Sequence, residues 1–334
     1  MTRPTTDLLS LDGAWLDDRH TDDIQLVHWS ELYPTLDRKP LRLSYSTLLM
    51  INSCERKFQL LKLQNIQNQD ITFDTRKNNT HLDYGSAFGI GIQTYIITQN
   101  LEQAIWETIK SYNYANETAA KNATGLVAGL QAFADQWDHS FWEIAYHNGK
   151  PAAEISFKII LDQETQDYYC GYIDLILRNK LSGLQVITEI KTTGMRIEDV
   201  SPLYKNSGQG TGYSIVLDPI AGSQQAAWEV IYLVNQLKAN NIMPKIHLIP
   251  FNKTLRNRLS WLLDMKLDHE RILQMIDIDH WPMRGSSCMA YNRACSLYGL
   301  CDLVSLEAPE AMLKPEEEWD FVFTLEELIE RASA

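Results

Sequence analysis

The chain has 334 residues, 45% of them hydrophobic, and a formal net charge of −13. This length suits one large domain or two modest ones, with enough apolar residues to bury a core. No run approaches the roughly 20 apolar residues of a membrane span, and the N-terminus lacks the layout of a signal peptide. We therefore expect a cytoplasmic protein whose surface as a whole repels nucleic acid, so that DNA binding would require a local basic groove.

The first half of the chain is predicted to be helical. Residues 1–40 show no sustained period and are expected to form a flexible lead-in. A Ser/Thr start followed by apolar residues at helical spacing predicts a helix over 43–64. A helix, a break and a second helix are predicted over 84–112, and an amphipathic helix over 116–142, so that a helical insertion covers about 84–142. Close backbone approach is expected where three glycines begin this insertion, at Gly85, Gly89 and Gly91.

The middle of the chain has the composition of β-strands. Three runs separated by turn residues predict a β-meander core over about 152–192. The elements predicted after it are a helix, two strands and a long helix, over 204–222, 228–234, 245–252 and 253–276. Helices on either side of a meander indicate a mixed α/β layered fold. We expect one domain over 41–305, with a cysteine-rich segment at 281–301 and a solvated acidic tail at 306–334.

Three charged residues, Asp174, Glu189 and Lys191, lie in apolar β-runs. Alternation along a strand sends Glu189 and Lys191 to one face and Ile190 to the other. If the run around Asp174 is the antiparallel neighbour, its carboxylate lies beside them. Two close carboxylates repel unless they are protonated or bridged by a cation, and oxygen ligands suit Mg²⁺ or Mn²⁺. The pattern predicts metal-assisted phosphodiester hydrolysis; exposed residues on the outward face of an edge strand are the alternative.

Over roughly residues 43–301, the sequence resembles the PD-(D/E)XK nuclease superfamily, in its RecB-like branch. "GYIDLIL" resembles the G-x-x-D strand, which makes Asp174 a metal ligand. "ITEIKTT" resembles the E-x-K strand, with Glu189 as the second ligand and Lys191 as the catalytic lysine, and the Ile190 carbonyl completes the metal ligands. The resemblance implies a restriction-endonuclease-like mixed β-sheet flanked by helices.

Two further motifs extend this resemblance. "SGQGTGY" resembles the Q-x-x-x-Y helix of the branch, where Gln209 and Tyr213 would face the DNA or buttress the lysine. The alternative for these two residues is a helix start with an ordinary core tyrosine. Glu154 in "AAEISF" matches an upstream glutamate that would be a weaker third metal ligand.

The glycine-rich helix departs from the family pattern. The branch usually has G-x-x-x-H, with the histidine as a metal ligand, whereas "GSAFG" places Gly89 at that position. Gln93 lies one turn later and His81 lies before the helix, but neither is assigned to the motif. This departure predicts weaker metal binding or a site for a single ion. It also keeps open a catalytically weak module that binds DNA or a recombination partner.

Three of the five cysteines fall within fourteen residues near the C-terminus, which indicates metal or cluster ligation. Their spacing is too loose for most zinc modules. "LSYSTLLMINSCERKF" resembles the segment that carries the first cysteine of the iron–sulfur members of the branch. The resemblance implies a [4Fe–4S] cluster that serves folding, held by Cys54, Cys288, Cys295 and Cys301. Zinc in the same ligands and four unrelated thiols are alternatives, and Cys170 is expected to be a small core residue.

The function expected from these motifs is a Mg²⁺- or Mn²⁺-dependent DNA exonuclease of recombination, repair or phage DNA metabolism. No helicase P-loop occurs in the sequence, so a separate helicase or recombination protein would supply any motor activity. An iron–sulfur redox carrier is the most distant alternative. Phe58 and Tyr204 are candidates for base stacking. The candidates for phosphate contacts are basic residues near the motifs: Arg56, Lys57, Lys62, Lys205, Lys253, Arg256 and Arg258.

Overall fold

A computed structural model describes residues 40–63, 80–238, 241–278, 280–290, 293–295, 297–298, 301 and 318–333. The chain divides into two compact units, of which the larger comprises Lys39–His269 and Trp281–Ala334. The smaller comprises Met1–Arg38 and Glu270–His280, and its described part is mainly the end of one helix. The predicted lead-in falls almost entirely outside the described residues. Within the described part of the chain, no helix combines the length and the apolar character needed to cross a membrane.

The first described elements are a short strand and a broken helix. Strand β1 (Arg42–Leu43) leads into helix α1 (Tyr45–Ser53), which begins with a capping box between Ser44 and Thr47. The predicted helix is interrupted at Cys54, whose extended backbone (φ −165°, ψ 113°) separates α1 from the next helix. The chain then continues as α2 (Glu55–Phe58) and a π-helical turn (Gln59–Leu63).

Three helices form a layer on one face of the sheet: α3 (Thr80–Thr98), α4 (Leu101–Ser111) and α5 (Ala123–Ala134). Their buried side chains share one core with residues of the strands, including Leu175, Ile190 and Leu233. Gly91 lets α3 approach its neighbours closely, because a Cβ atom there would lie 2.7 Å from Leu130 Cδ2. The predicted helical insertion is therefore present as a packed layer.

The central sheet has eight strands and contains the predicted meander. The strands of its main path run in the order β12-β5-β6-β7-β8-β9, and β1 and β2 both pair with β6. Pairing is antiparallel from β5 to β7 and from β8 to β9, whereas β7 and β8 are parallel. A short hairpin, β3 (Tyr146–His147) and β4 (Lys150–Pro151), lies outside this sheet. The bounds of the longer strands and of β2 are Trp142–Ile144 (β2), Ala153–Ile160 (β5), Tyr168–Asn179 (β6), Gln185–Thr193 (β7), Ala227–Lys238 (β8) and Asn241–Thr254 (β9).

Two helices, α6 (Ile197–Lys205) and α7 (Gly208–Ala221), form the crossover between the parallel strands β7 and β8. Helix α8 (Leu255–Asp277) follows β9 and matches the long helix predicted from the sequence. Its Trp261 packs directly on α7, because a Cβ atom on Gly212 would lie 2.9 Å from the indole ring. The fold is mixed α/β, with helices flanking a central sheet.

The end of the chain differs from the predicted solvated tail. Residues 318–333 contain strand β12 (Phe321–Thr324), which pairs in parallel with β5, and helix α9 (Leu325–Ser333). The Asp320 carboxylate accepts hydrogen bonds from the Ser156 N–H (2.8 Å) and hydroxyl (2.7 Å). The acidic residues of α9 alternate with buried apolar ones, namely Leu325, Leu328 and Ala332. The predicted solvated tail, which was based on the negative charge of the segment, is wrong for residues 318–333, because a helix needs only one apolar face to pack against the sheet domain.

Candidate active site

Strands β6 and β7 bring Asp174 next to Glu189. Leu175 lies opposite Thr188 and Ile176 opposite Ile187, and the next step in the same register places the two carboxylates across from each other. Asp174 Oδ2 accepts a hydrogen bond from the Ile190 N–H at 2.7 Å. Burial raises the pKa of Asp174 well above its usual value, and the neighbouring Glu189 raises it further. The alternation in the sequence thus leads to the expected pair of acids.

Glu189 is the centre of a hydrogen-bonded group that includes Lys191. Its Oε1 atom accepts from Lys191 Nζ at 2.6 Å and from Gln209 Nε2 at 2.6 Å. Lys191 Nζ also donates to Gln209 Oε1 at 3.0 Å, and Gln209 Nε2 donates to the Tyr213 hydroxyl at 2.9 Å. The start of α7 therefore holds the lysine through Gln209, as a buttressing role would require.

The other carboxylate oxygen of Glu189 has no such partner. Glu189 is only 2% exposed, and no hydrogen bond to its Oε2 atom is present among the described residues. A buried carboxylate oxygen without a donor is costly. Its position beside Asp174 makes it a natural ligand atom for a cation.

The charges of the site favour such a cation. Burial raises the pKa of Glu189, although Lys191 opposes the shift. Burial alone would lower the pKa of Lys191, but the attraction of Glu189 and Asp174 outweighs it and the pKa is raised. Burial and the nearby Glu189 also raise the pKa of Tyr213, which keeps the phenol neutral. One ammonium thus faces two acids, and a divalent cation such as Mg²⁺ or Mn²⁺ would offset the remaining negative charge.

Helix α3 contributes Gln93, which was set aside in the sequence motif. Gln93 Nε2 donates to Glu154 Oε1 at 2.6 Å and to the Asp174 carbonyl at 3.3 Å. Glu154 has a left-handed backbone (φ +51°), which is uncommon for a residue with a side chain. The contact with Gln93 is one of the interactions that hold it beside β6. Glu154 is otherwise exposed.

The other two residues considered on this helix have surroundings different from those of Gln93. His81 lies exposed in the first turn of α3. A Cβ atom on Gly89 would have no neighbour within 4 Å, so Gly89 borders open space one turn before Gln93. The spacing Gly89-x-x-x-Gln93 was visible in the sequence. It could have identified glutamine as the side chain that reaches the site.

The described residues contain no group of three His, Cys, Asp or Glu side chains arranged to hold a metal ion. The acidic site nevertheless offers suitable donors, because two adjacent carboxylates and a backbone carbonyl do not need a third such side chain. Asp174, Glu189 and the Ile190 carbonyl are the atoms that would hold the ion, with Glu154 nearby. The unpartnered Glu189 oxygen is the observation that fits this assignment.

The four cysteines of the predicted cluster lie on segments that contact one another. The turn Gly285–Ser287 ends at Cys288, and the hairpin of β10 (Met289–Ala290) and β11 (Arg293–Ala294) leads to Cys295. Cys295 and Cys301 pack against Leu60 and Leu297. Burial raises the pKa of the Cys301 thiol, and the thiols of Cys295, Cys54 and Cys288 raise it further. These thiols influence one another electrostatically, but the described ones do not form a group arranged to hold a metal ion.

Polar contacts tie this C-terminal segment to the helices that flank Cys54. The Arg56 guanidinium donates to the Cys301 carbonyl at 2.9 Å. The Arg284 guanidinium donates to both carboxylate oxygens of Glu55, at 2.6 and 2.8 Å. The fifth cysteine, Cys170, is buried and its Sγ donates to the Leu43 carbonyl at 3.4 Å, as expected for a core residue.

Several basic residues proposed for DNA contacts are not available for them. Lys253 is 3% exposed, donates to the Lys205 carbonyl at 2.6 Å and has its pKa lowered to about 8 by burial. Arg258 is 1% exposed and pairs with Asp218 at 3.3 Å. Lys205, Arg256 and Lys62 are exposed, whereas Arg56 and Lys57 are half-buried. Of these candidates, Lys62, Lys205 and Arg256 keep the exposure that a phosphate contact needs.

The aromatic candidates for base stacking are also engaged within the protein. Phe58 is buried against Trp281, with ring centroids 5.9 Å apart. Tyr204 stacks face to face on Tyr232 at 4.7 Å and is half-buried. Phe58 is therefore a core residue, and Tyr204 is the remaining candidate of the two.

No protein-family model matches the chain, and no curated protein matches it significantly. The functional assignment therefore depends on the geometry of the site.

Proposed function

We propose that this chain is a metal-dependent DNA nuclease with a restriction-endonuclease-like fold of the PD-(D/E)XK, RecB-like type. The observation that carries the proposal is the buried Glu189, which holds Lys191 with one carboxylate oxygen, has a second oxygen without a hydrogen-bond partner among the described residues, and lies across the strand pair from Asp174. The antiparallel meander β5–β7, followed by the helical crossover to β8, supports it.

The roles of the side chains follow from these contacts. Asp174, Glu189 and the Ile190 carbonyl would hold Mg²⁺ or Mn²⁺. The bound ion would supply Lewis acidity toward a phosphate and acidify a water molecule. Lys191 stays protonated because Glu189 and Asp174 raise its pKa. Its ammonium group therefore stabilises the negative charge that develops on the phosphate during hydrolysis. Gln209 fixes the direction of that ammonium, and Tyr213 fixes Gln209.

A cleavage assay tests this function. Labelled single- and double-stranded DNA would be incubated with Mg²⁺ or Mn²⁺ and with wild type, Lys191→Met or Lys180→Met. Lys180 is exposed in the turn after β6 and serves as the matched control. We expect Lys191→Met to lower the cleavage rate by roughly 100-fold or more, with Lys180→Met unchanged. Equal cleavage by Lys191→Met would refute the assigned role.

A DNA-binding module without catalysis is the second candidate. It is favoured by Gly89 at the position where the RecB-like pattern has a metal-binding histidine, because Gly89 has no side chain to offer a metal and borders open space. Retained DNA binding without cleavage in any metal would establish the module. A helicase or recombination protein is a proposed partner of the protein, whether it is the nuclease or the DNA-binding module.

We further propose that Cys54, Cys288, Cys295 and Cys301 hold a [4Fe–4S] cluster that links the two ends of the domain. Four thiolates are the normal complement of such a cluster, and contacts between the segments that carry Cys54, Cys288 and Cys301 support the proposal. Iron and sulfide analysis after anaerobic purification tests the cluster, and zinc analysis tests its alternative. Cys295→Ala should lose the brown colour and stability, whereas a colourless folded wild type would exclude the cluster.

A further inference from the structure

A group of three aromatic side chains lies at the end of the sheet that carries Asp174. Tyr168 and Tyr172 are four residues apart on β6, and Trp319 precedes β12. The Trp319 ring lies 6.0 Å from the ring of Tyr168 and 6.0 Å from that of Tyr172, between centroids. Tyr172 is 43% exposed. We call these three residues the aromatic platform.

Two cations lie directly against the aromatic platform. The Arg42 guanidinium lies over the Trp319 ring at 5.6 Å, and Lys158 Nζ lies over the Tyr168 ring at 4.5 Å. Such cation–π contacts hold the two charges beside the rings. Although the chain has a net charge of −13, positive groups beside exposed aromatic side chains make a local site suited to an anion that carries planar aromatic rings.

The position of Trp319 is fixed by the strand that follows it. Asp320 accepts two hydrogen bonds from Ser156, and the Asp320 N–H donates back to the Ser156 hydroxyl at 2.9 Å. The pairing of β12 with β5 continues this connection. A ring that is already held in place costs less entropy to bind than a mobile one.

We propose that the aromatic platform stacks bases of single-stranded DNA beside the acidic site, with Arg42 and Lys158 contacting its phosphates. Tyr172 precedes Asp174 by two residues, or about 7 Å along a strand, which is roughly two nucleotide steps of a stacked strand. Bases must be unpaired to stack on a protein side chain, so the site selects single strands. The inference rests on the proposed function for the identity of the ligand.

Binding of a short labelled oligothymidylate, measured by fluorescence anisotropy in EDTA, tests the aromatic platform. Tyr172→Ala should weaken binding by roughly 5- to 150-fold, the range for loss of one stacked base, whereas Tyr172→Phe should retain it. Tyr114→Ala is the matched control, because Tyr114 is 50% exposed in a turn between α4 and α5. Arg42→Gln gives a second readout. The magnitude of the slope of log K against log salt concentration, where K is the association constant for the oligothymidylate, should fall by about 1.

The outcomes separate this inference from the proposed function. Unchanged oligothymidylate binding by folded Tyr172→Ala, with wild-type cleavage intact, would overturn the aromatic platform alone. An equal loss for Tyr172→Ala and Tyr114→Ala, or an unchanged salt slope for Arg42→Gln, would also count against it. If wild type cleaves no DNA but Tyr172→Ala still loses binding, the aromatic platform stands and the nuclease proposal fails.

Discussion

Replacing Asp174 by asparagine should stabilise the metal-free protein. Asp174 and Glu189 are neighbours across β6 and β7, where Cβ atoms lie about 5 Å apart. Two charges at that distance repel by about 3 kcal/mol at an effective dielectric constant near 20. The attraction of Asp174 to Lys191 offsets part of this. The asparagine oxygen can still accept from the Ile190 N–H, so we expect a net gain of about 1 to 2 kcal/mol in the free energy of unfolding.

Urea unfolding at pH 7 in EDTA measures this gain, and Asp162→Asn is the matched control. Asp162 accepts from the Thr165 N–H at 2.7 Å, and this contact lowers its pKa, so its neutralisation should cost about 1 kcal/mol. Replacing aspartate by asparagine should therefore raise the free energy of unfolding at position 174 and lower it at position 162. With Mg²⁺ at 100 times its Kd, wild type should gain about 2.7 kcal/mol, and Asp174→Asn should lose most of that gain.

The pH dependence of this difference has a defined sign. The pKa of Asp174 is raised in the folded protein, so its penalty is present at neutral pH and disappears as the pH falls below the folded pKa toward 3.8. The gap between variant and wild type should close over that range. A destabilised Asp174→Asn in EDTA, or an undiminished response to Mg²⁺, would refute the reasoning.

Three further predictions concern the framework of the site. Gly91→Ala should lower the free energy of unfolding in urea by about 1 to 3 kcal/mol, because its Cβ atom would meet Leu130. Gly89→Ala lies in open space on the same helix and should raise it by up to about 1 kcal/mol. Equal effects of the two substitutions would contradict this packing. Burial lowers the pKa of Lys253 to about 8, so the buried ammonium destabilises the folded protein below that pH. As the pH rises from 8 to the usual 10.5, wild type should therefore gain stability relative to Lys253→Met. Parallel stability profiles of the two proteins would argue against a buried ammonium. Ser156→Ala should cost about 1 to 2 kcal/mol and speed proteolytic release of the C-terminal segment, unless Asp320 contributes nothing to docking.

The parts of the site that could be predicted are those fixed by local geometry. Alternation along a strand is a local property, so the shared face of Glu189 and Lys191 followed from spacing. Their approach to Asp174 required in addition that the two strands pair in an antiparallel arrangement, which they do. Gln209 and Tyr213 are one helical turn apart, and this spacing predicts that they meet. The meander was predictable because its strands are consecutive and its turns are short.

The parts that could not be predicted depend on contacts between distant segments. Strand β12 pairs with β5, and next to this pairing Ser156 donates to the Asp320 carboxylate, 164 positions away. No local pattern in the sequence records that pairing. Lys253 and Arg258 were assigned to the surface because of their charge. They are buried because a carbonyl of Lys205 and the carboxylate of Asp218 lie beside them in the fold.

Gln93 gives one of the three acids of the site a hydrogen-bond donor without adding a positive charge. A histidine or lysine at its position could bring positive charge to Glu154, whereas the glutamine amide donates to that carboxylate while remaining neutral. Lys191 is engaged with Glu189, and Asp174 is held by a backbone N–H group that carries no charge. With its acids ionised, the site therefore keeps more negative than positive charge, although each acid has a hydrogen-bond donor. Under the proposed metal-dependent function, a divalent cation would offset this imbalance, and the neutral hydrogen bonds would keep the acids in position before it binds.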